Sequence, residues 1–113
     1  MTDVLANFLE SRMPMDGMAA WCLRNPDGTA SHKSFTVWLS PTQIEQTAAR
    51  LALAADSLQY QELHPAQVCW IFSHLRLYLA LRPDGSSLTL FLENRPDHPH
   101  EQTRALLEEF IAV

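Results

Sequence analysis

The apolar positions of this chain change their spacing several times, and each change marks an element. Val4, Leu5, Phe8 and Leu9 form one stripe at helical spacing, which predicts a short helix over residues 2–12. Thr2 or Asp3 can cap it, and Pro14 follows where a helix commonly stops. Residues 17–24 are almost continuously apolar, the pattern of a strand covered on both faces. Asn25-Pro26-Asp27-Gly28 has proline at the second turn position and glycine at the fourth, which suits a type I turn. The next strand, about Thr29 to Phe35, carries Ser31, His32 and Lys33, the polar character of a sheet edge.

Ser40-Pro41-Thr42-Gln43 is the clearest local signal. Ser40 is a good N-cap, Pro41 fits the first helical position, and Gln43 completes a capping box. The helix runs to about Leu58, with Ile44, Ala48, Leu51, Ala55 and Leu58 as its core stripe. Ala49 and Leu53 fall on roughly the opposite side. A single exposed leucine is common, but the two together make a second apolar spot that a partner could cover.

Beyond Pro65 the spacing becomes two. Gln67 to Ser73 holds Val68, Cys69, Trp70, Ile71 and Phe72, a run rich in β-formers. Trp70 and Phe72 share one face of that strand, Cys69 and Ile71 the other. After a tight reversal at Ser73 or His74, Leu75, Leu77, Leu79 and Leu81 alternate with Arg76, Tyr78, Ala80 and Arg82. Pro83-Asp84-Gly85 signals a hairpin, and Leu88, Leu90 and Leu92 alternate in the strand after it. Such short gaps mean neighbouring antiparallel strands, because parallel pairing needs a long crossover. Residues 98–112 read as a last helix, capped by Asp97 or His98, with Thr103, Leu106, Leu107, Phe110 and Ile111 at helical spacing. The meander leucines need a helical cover, and this helix is one candidate. The order is α-β-β-α-β-β-β-α, an α/β (α+β) arrangement read as one domain over residues 1–113.

Composition narrows the function. The chain has 113 residues, 47% hydrophobic and 19% charged, which suits a packed globule. A net charge of -5 lacks the basic footprint of a nucleic-acid binder, so no nucleic-acid partner is expected. The N-terminus has no basic region followed by an apolar run, and no run reaches the ~18–20 residues that span a bilayer. Cytoplasm without membrane insertion is the expected setting. The two cysteines, Cys22 and Cys69, lie in apolar strands and read as reduced, buried thiols.

No motif for chemistry emerges. Phosphate-cradling loops need clustered glycines, and Gly17, Gly28 and Gly85 are far apart. His98-Pro99-His100, beside Asp97 and Glu101, could hold a divalent ion loosely, but reads as a solvated loop and helix start. Cys22, Cys69, His32, His64 and His74 lack zinc-ligand spacing. A thiol in an apolar strand stays neutral and inert, and Glu108-Glu109 reads as a solvated face. No catalytic residue, cofactor or metal is therefore expected. An apolar third strand at a sheet edge, by contrast, would invite pairing with another chain, and self-pairing gives a closed two-fold dimer.

These elements resemble the roadblock/dynein light chain (roadblock/LC7) family over about residues 2–112. Residues 68–94 (VCWIFSHLRLYLALRPDGSSLTLFLEN) look like the family's strand, reversal, strand, glycine turn and strand. Residues 101–110 (EQTRALLEEF) look like its final helix, and residues 17–30 (GMAAWCLRNPDGTA) like its first hairpin. Here the second strand is expected to continue through Ser34-Phe35-Thr36-Val37-Trp38, longer than the family pattern. The resemblance implies a profilin-like fold, a five-stranded antiparallel sheet with helices on both faces. It also implies a homodimer joined through third strands and middle helices, and a non-catalytic adaptor or regulator of a small Ras-like GTPase or of a signalling or motor protein. Carried onto this chain, the seam comprises Val68, Trp70, Ile71 and Phe72 with Ala49 and Leu53. The alternative is an acidic secretion chaperone, which would need broad apolar patches along the sheet for an unfolded client. A profilin-like sensor of small molecules would need an internal pocket with polar handles, for which the sequence offers no support.

Overall fold

The computed structural model describes residues 2–12, 16–59 and 67–112. Its elements are α1 (Thr2–Arg12), β1 (Met18–Arg24), β2 (Ala30–Ser34), α2 (Pro41–Gln59), β3 (Gln67–Ile71), β4 (Leu75–Leu81), β5 (Ser87–Glu93) and α3 (His100–Ala112). The five strands form one sheet in the order β2-β1-β5-β4-β3, and each described pairing is antiparallel. The expected element order and fold class are those observed.

Two hairpins use the same turn chemistry. Pro26-Asp27-Gly28-Thr29 joins β1 to β2, and Pro83-Asp84-Gly85-Ser86 joins β4 to β5. In each, the glycine N–H donates to the carbonyl three residues back, Gly28 to Asn25 at 3.0 Å and Gly85 to Arg82 at 3.0 Å. Each glycine has positive φ, 90° and 95°, as a type I turn closed by a bulge requires. The aspartate of each turn accepts from the residue two further on, Thr29 N–H at 2.9 Å and Ser86 N–H at 2.8 Å. Hydrogen bonds from the Thr29 and Ser86 hydroxyls, joined by these backbone N–H bonds, favour the ionised carboxyl and hold Asp27 and Asp84 below the usual carboxylate pKa.

The capping box at α2 is formed. Ser40 N–H donates to Gln43 Oε1 at 2.8 Å, and Gln43 N–H donates to Ser40 Oγ at 3.1 Å. Ser40→Ala removes one bond and loosens the other. It is expected to lower stability by about 1 kcal/mol, read as a lower urea midpoint with unchanged slope.

The sheet separates two apolar layers. On one face α1 and α3 pack with Leu9, Trp21, Leu23, Ala80, Leu88, Leu90, Leu92, Leu106, Leu107 and Phe110 in contact. On the other, Ile44 and Ala48 of α2 pack with Ala19, Ala20, Cys22, Leu77 and Phe91. A register shift between Met18 and Ala20 lets Ala19 and Ala20 both face α2. The meander leucines are therefore divided. Leu88, Leu90 and Leu92 meet the α1/α3 layer, while Leu75 and Leu77 pack on the α2 side. The last helix covers only the β5 set.

Three boundaries differ from the expected ones. The second strand ends at Ser34 instead of running on to Phe35 or to Trp38. Ser34 Oγ donates to Thr36 O at 2.7 Å and receives Thr36 N–H at 3.3 Å, so a side-chain turn replaces the ladder there. The last helix begins at His100, not residue 98. Thr103 N–H donates to Pro99 O at 3.0 Å, while the Asp97 carboxylate lies 3.4 Å from Arg95 Nε and does not cap. The third strand pairs regularly over Gln67–Ile71, and Phe72 N–H still donates to Leu75 O at 2.8 Å. Val4, Leu5 and Leu58 lie in α1 and α2, but their side chains, and the setting of Pro14, His64 and Pro65, fall outside what the structure describes.

Candidate functional site

α2 packs chiefly on β2 and β1, so its core stripe lies over one half of its sheet face. The β4–β3 half carries Val68, Trp70 and Leu75, each half-buried. Beyond it lies the free edge of β3. Ile71 is 62% exposed and Phe72 52%, large values for side chains of that size. Phe72 is held in place by its main chain, since its carbonyl accepts Asn94 Nδ2 at 2.8 Å.

The six residues expected at a partner surface take two positions. Val68, Trp70, Ile71 and Phe72 line or adjoin the β3 edge. On α2, Leu53 is 67% exposed and opposite the buried Ile44–Ala48 stripe, while Ala49 is half-buried. Ile71, Phe72 and Leu53 are thus three of the five large exposed hydrophobics among the described residues. The other two, Val37 and Trp38, sit in the β2–α2 connection. The sequence reading placed them in a strand and so missed their exposure. Phe35 and Val37 alternate with Ser34 and Thr36 as a strand would, and the adjacent apolar Trp38 and Leu39, which break that alternation, were the available signal.

The two sheet edges differ chemically. β2 carries Lys33, whose ammonium lies 5.7 Å from the Phe35 ring centroid, and His32, whose Nδ1 is 3.6 Å from Glu45 Oε1. Such charges discourage pairing with another strand. The segment from Gln67 to Ser73 carries no charged side chain.

The thiols separate in the same way. Cys22 is buried, and burial pushes its thiol up to about 11. Cys69 is exposed, contrary to the sequence expectation. It pairs across from Tyr78 on an edge strand, and α3 packs on β4 rather than reaching over β3.

His98 also departs from expectation. It is buried at 5% exposure, its ring stacks on Tyr78, and Nε2 shares a 2.9 Å hydrogen bond with the Tyr78 hydroxyl. The His100 ring meets it edge-on at 4.6 Å. Among the described residues no three His, Cys, Asp or Glu side chains come together to hold a metal ion. Burial, reinforced by His100, Arg76 and Arg95, holds the His98 pKa below its ordinary value. The unfolded chain then binds a proton more readily than the folded one. Stability contributed by neutral His98 is full above pH ~6.5 and falls as pH drops through the folded pKa. Urea midpoints measured from pH 7.5 to 5 are expected to fall less steeply for His98→Gln than for the parent. Equal slopes would show that His98 does not contribute.

A small open cavity of about 120 Å³ lies between α1 and α3, lined by Arg12, Gln102, Ala105, Leu106 and Glu109. The Arg12–Glu109 ion pair at 2.7 Å belongs to its wall. The space is below the ~300 Å³ typical of small-molecule sites.

An antiparallel five-stranded sheet between a helical pair and a single long helix, with one uncharged edge, defines the α+β class of this chain. Within that class the chain has the roadblock/LC7 fold. It superposes on Myxococcus xanthus MglB with a TM-score of 0.67 at 13% identity, covering 98% of this chain and 86% of that one. An MglB structure described as having a tetrameric arrangement gives 0.65 at 17%, covering 97% and 87%. A Roadblock/LC7 domain from Streptomyces avermitilis gives 0.60 at 19%, covering 95% and 92%. No family model matches the chain, and no curated protein does. No helix among the described residues is long and apolar enough to cross a membrane.

Proposed function

We propose that this chain is a non-catalytic adaptor or regulator that works as a homodimer and binds a small Ras-like GTPase or another signalling or motor protein. The observation that carries this reading is the uncharged β3 edge, with exposed Ile71 and Phe72 beside half-buried Val68 and Trp70. An edge of this kind is a template for another strand. Leu53 adds apolar surface on α2, and Ala49 lies one turn before it. The fold supports the reading as well, and one of the MglB structures sharing it is described as tetrameric. The GTPase element rests on the resemblance to the roadblock family, a weaker warrant than a site.

The secretion-chaperone alternative asks for broad apolar exposure along the sheet. Exposure here is concentrated at one edge and one helix position, with Val37 and Trp38 apart from both, and this favours the adaptor. Calorimetric titration against a Ras-like GTPase encoded in the same genome, loaded in turn with GDP and a non-hydrolysable GTP analogue, tests the partner. Binding that prefers one nucleotide state is expected. Absence of binding in both states, with an unfolded client bound instead, would overturn it.

A further inference from the structure

The way β3 is hydrogen-bonded to β4 restricts how two copies could join. Phe72 N–H points at Leu75 O, and the register continues as Trp70 opposite Leu77 and Val68 opposite Leu79. In an antiparallel ladder the residues that bond inward alternate with those that bond outward. The main-chain groups of Val68, Trp70 and Phe72 therefore face β4. Those of Gln67, Cys69 and Ile71 face the open edge. A symmetric pair must match outward residues with outward residues, so the two-fold axis passes through a residue, never between two.

We propose that the second copy docks antiparallel on this edge with the two-fold axis at Trp70. This deepens the homodimer reading above and rests on it. About Trp70 the segment is self-complementary in polarity. Val68 then lies opposite Phe72 of the second copy, Cys69 opposite its Ile71, and Gln67 opposite its Ser73. Apolar meets apolar and polar meets polar. An axis at Cys69 would set Gln67 against Ile71 and leave Phe72 beyond the pairing. An axis at Ile71 would set Cys69 against Ser73 and Val68 against His74. The Trp70 axis covers both exposed side chains, Ile71 and Phe72, and centres the whole uncharged segment 67–73, whereas an Ile71 axis covers them only by leaving Gln67 outside and setting Val68 against His74. It also gives each outward amide and carbonyl of Cys69 and Ile71 a partner, since the two exchange bonds across the seam. Trp70 meets its copy in a non-hydrogen-bonded pair, where side chains approach closest.

Site-directed disulfide trapping reads the axis directly. Copper–phenanthroline in air serves as the oxidant, and two thiols lose two protons and two electrons to oxygen as the bond forms. At the proposed axis, position 70 faces its copy at about 4.5 Å between Cα atoms. Cys69 faces its copy only diagonally, at about 7–8 Å, at or beyond the ~7 Å reach of a disulfide. Trp70→Cys in a Cys69→Ser background is therefore expected to cross-link at least about tenfold faster than parent Cys69 or than Ile71→Cys in that background. A second pair keeps Trp70 intact. Mixed Val68→Cys and Phe72→Cys chains, both carrying Cys69→Ser, are expected to trap a heterodimer that neither forms alone. Fastest trapping at Cys69 or Ile71 would overturn the axis. So would failure of both the Trp70→Cys and the mixed samples while the parent sediments as a dimer. A parent that sediments as a monomer at micromolar concentration sinks the homodimer reading itself, a different outcome from a dimer trapped at the wrong residue.

Discussion

Ile71→Lys is expected to convert the proposed parent dimer to monomer at micromolar concentration while leaving the fold intact. Ile71 is 62% exposed in one chain, so replacing it costs the monomer little, within about 0.5 kcal/mol. In the proposed dimer its side chain would lie against Cys69 of the second copy and would be buried twice by symmetry. Losing about 1.5 kcal/mol of burial at each of the two positions raises the dissociation constant roughly a hundredfold. Desolvating the new ammonium adds to that. Sedimentation velocity checks the association state, and the urea midpoint checks the fold. Leu53→Glu changes α2 in the same direction with a smaller effect, because a glutamate on a helix surface keeps much of its hydration. A parent and an Ile71→Lys variant that sediment alike would remove β3 from the interface.

Phe91→Ala is expected to cost about 3–5 kcal/mol of folding stability. Phe91 is 1% exposed on β5, flanked by β1 and β4, and it meets Ile44 and Ala48 of α2. Strands on both sides and a helix above leave the cavity no way to collapse fully. The loss is a large part of the ~5–15 kcal/mol available to an ordinary domain. Urea unfolding followed by tryptophan fluorescence measures it. A loss under about 1 kcal/mol would mean that α2 does not seat on Phe91. The contrast with Ile71 is the informative part: one residue holds the fold, and the other is free to hold a partner.

The two substitutions also mark how far the sequence could be read. The apolar run at 68–72 predicted a strand at an exposed edge, and β3 is an edge strand with large exposed side chains at Ile71 and, just beyond it, Phe72. The Ser40–Gln43 capping box formed as its residues require, because every bond in it spans three positions. The polar strand at residues 30–34 is the opposite edge, as Ser31, His32 and Lys33 foretold. His98 went the other way. His-Pro-His looks like a solvated loop, and only Tyr78, twenty positions earlier on β4, makes it a buried ring. Cys69 shared an apolar run with Val68 and Ile71, and nothing local said that its face of β3 would lack a helix.

The sequence by itself determined the order of elements, the turns and the cap. These depend on interactions among residues a few positions apart, where side-chain type and period two or 3.6 suffice. Only the tertiary structure decided that the first hairpin docks through β1 on β5. That pairing joins Trp21 to Leu90, far apart along the chain, and many registers of two apolar strands satisfy the same local pattern. The pairing places β1 and β5 inside, divides the leucines of β4 and β5 between two layers, and leaves β3 as the uncharged edge.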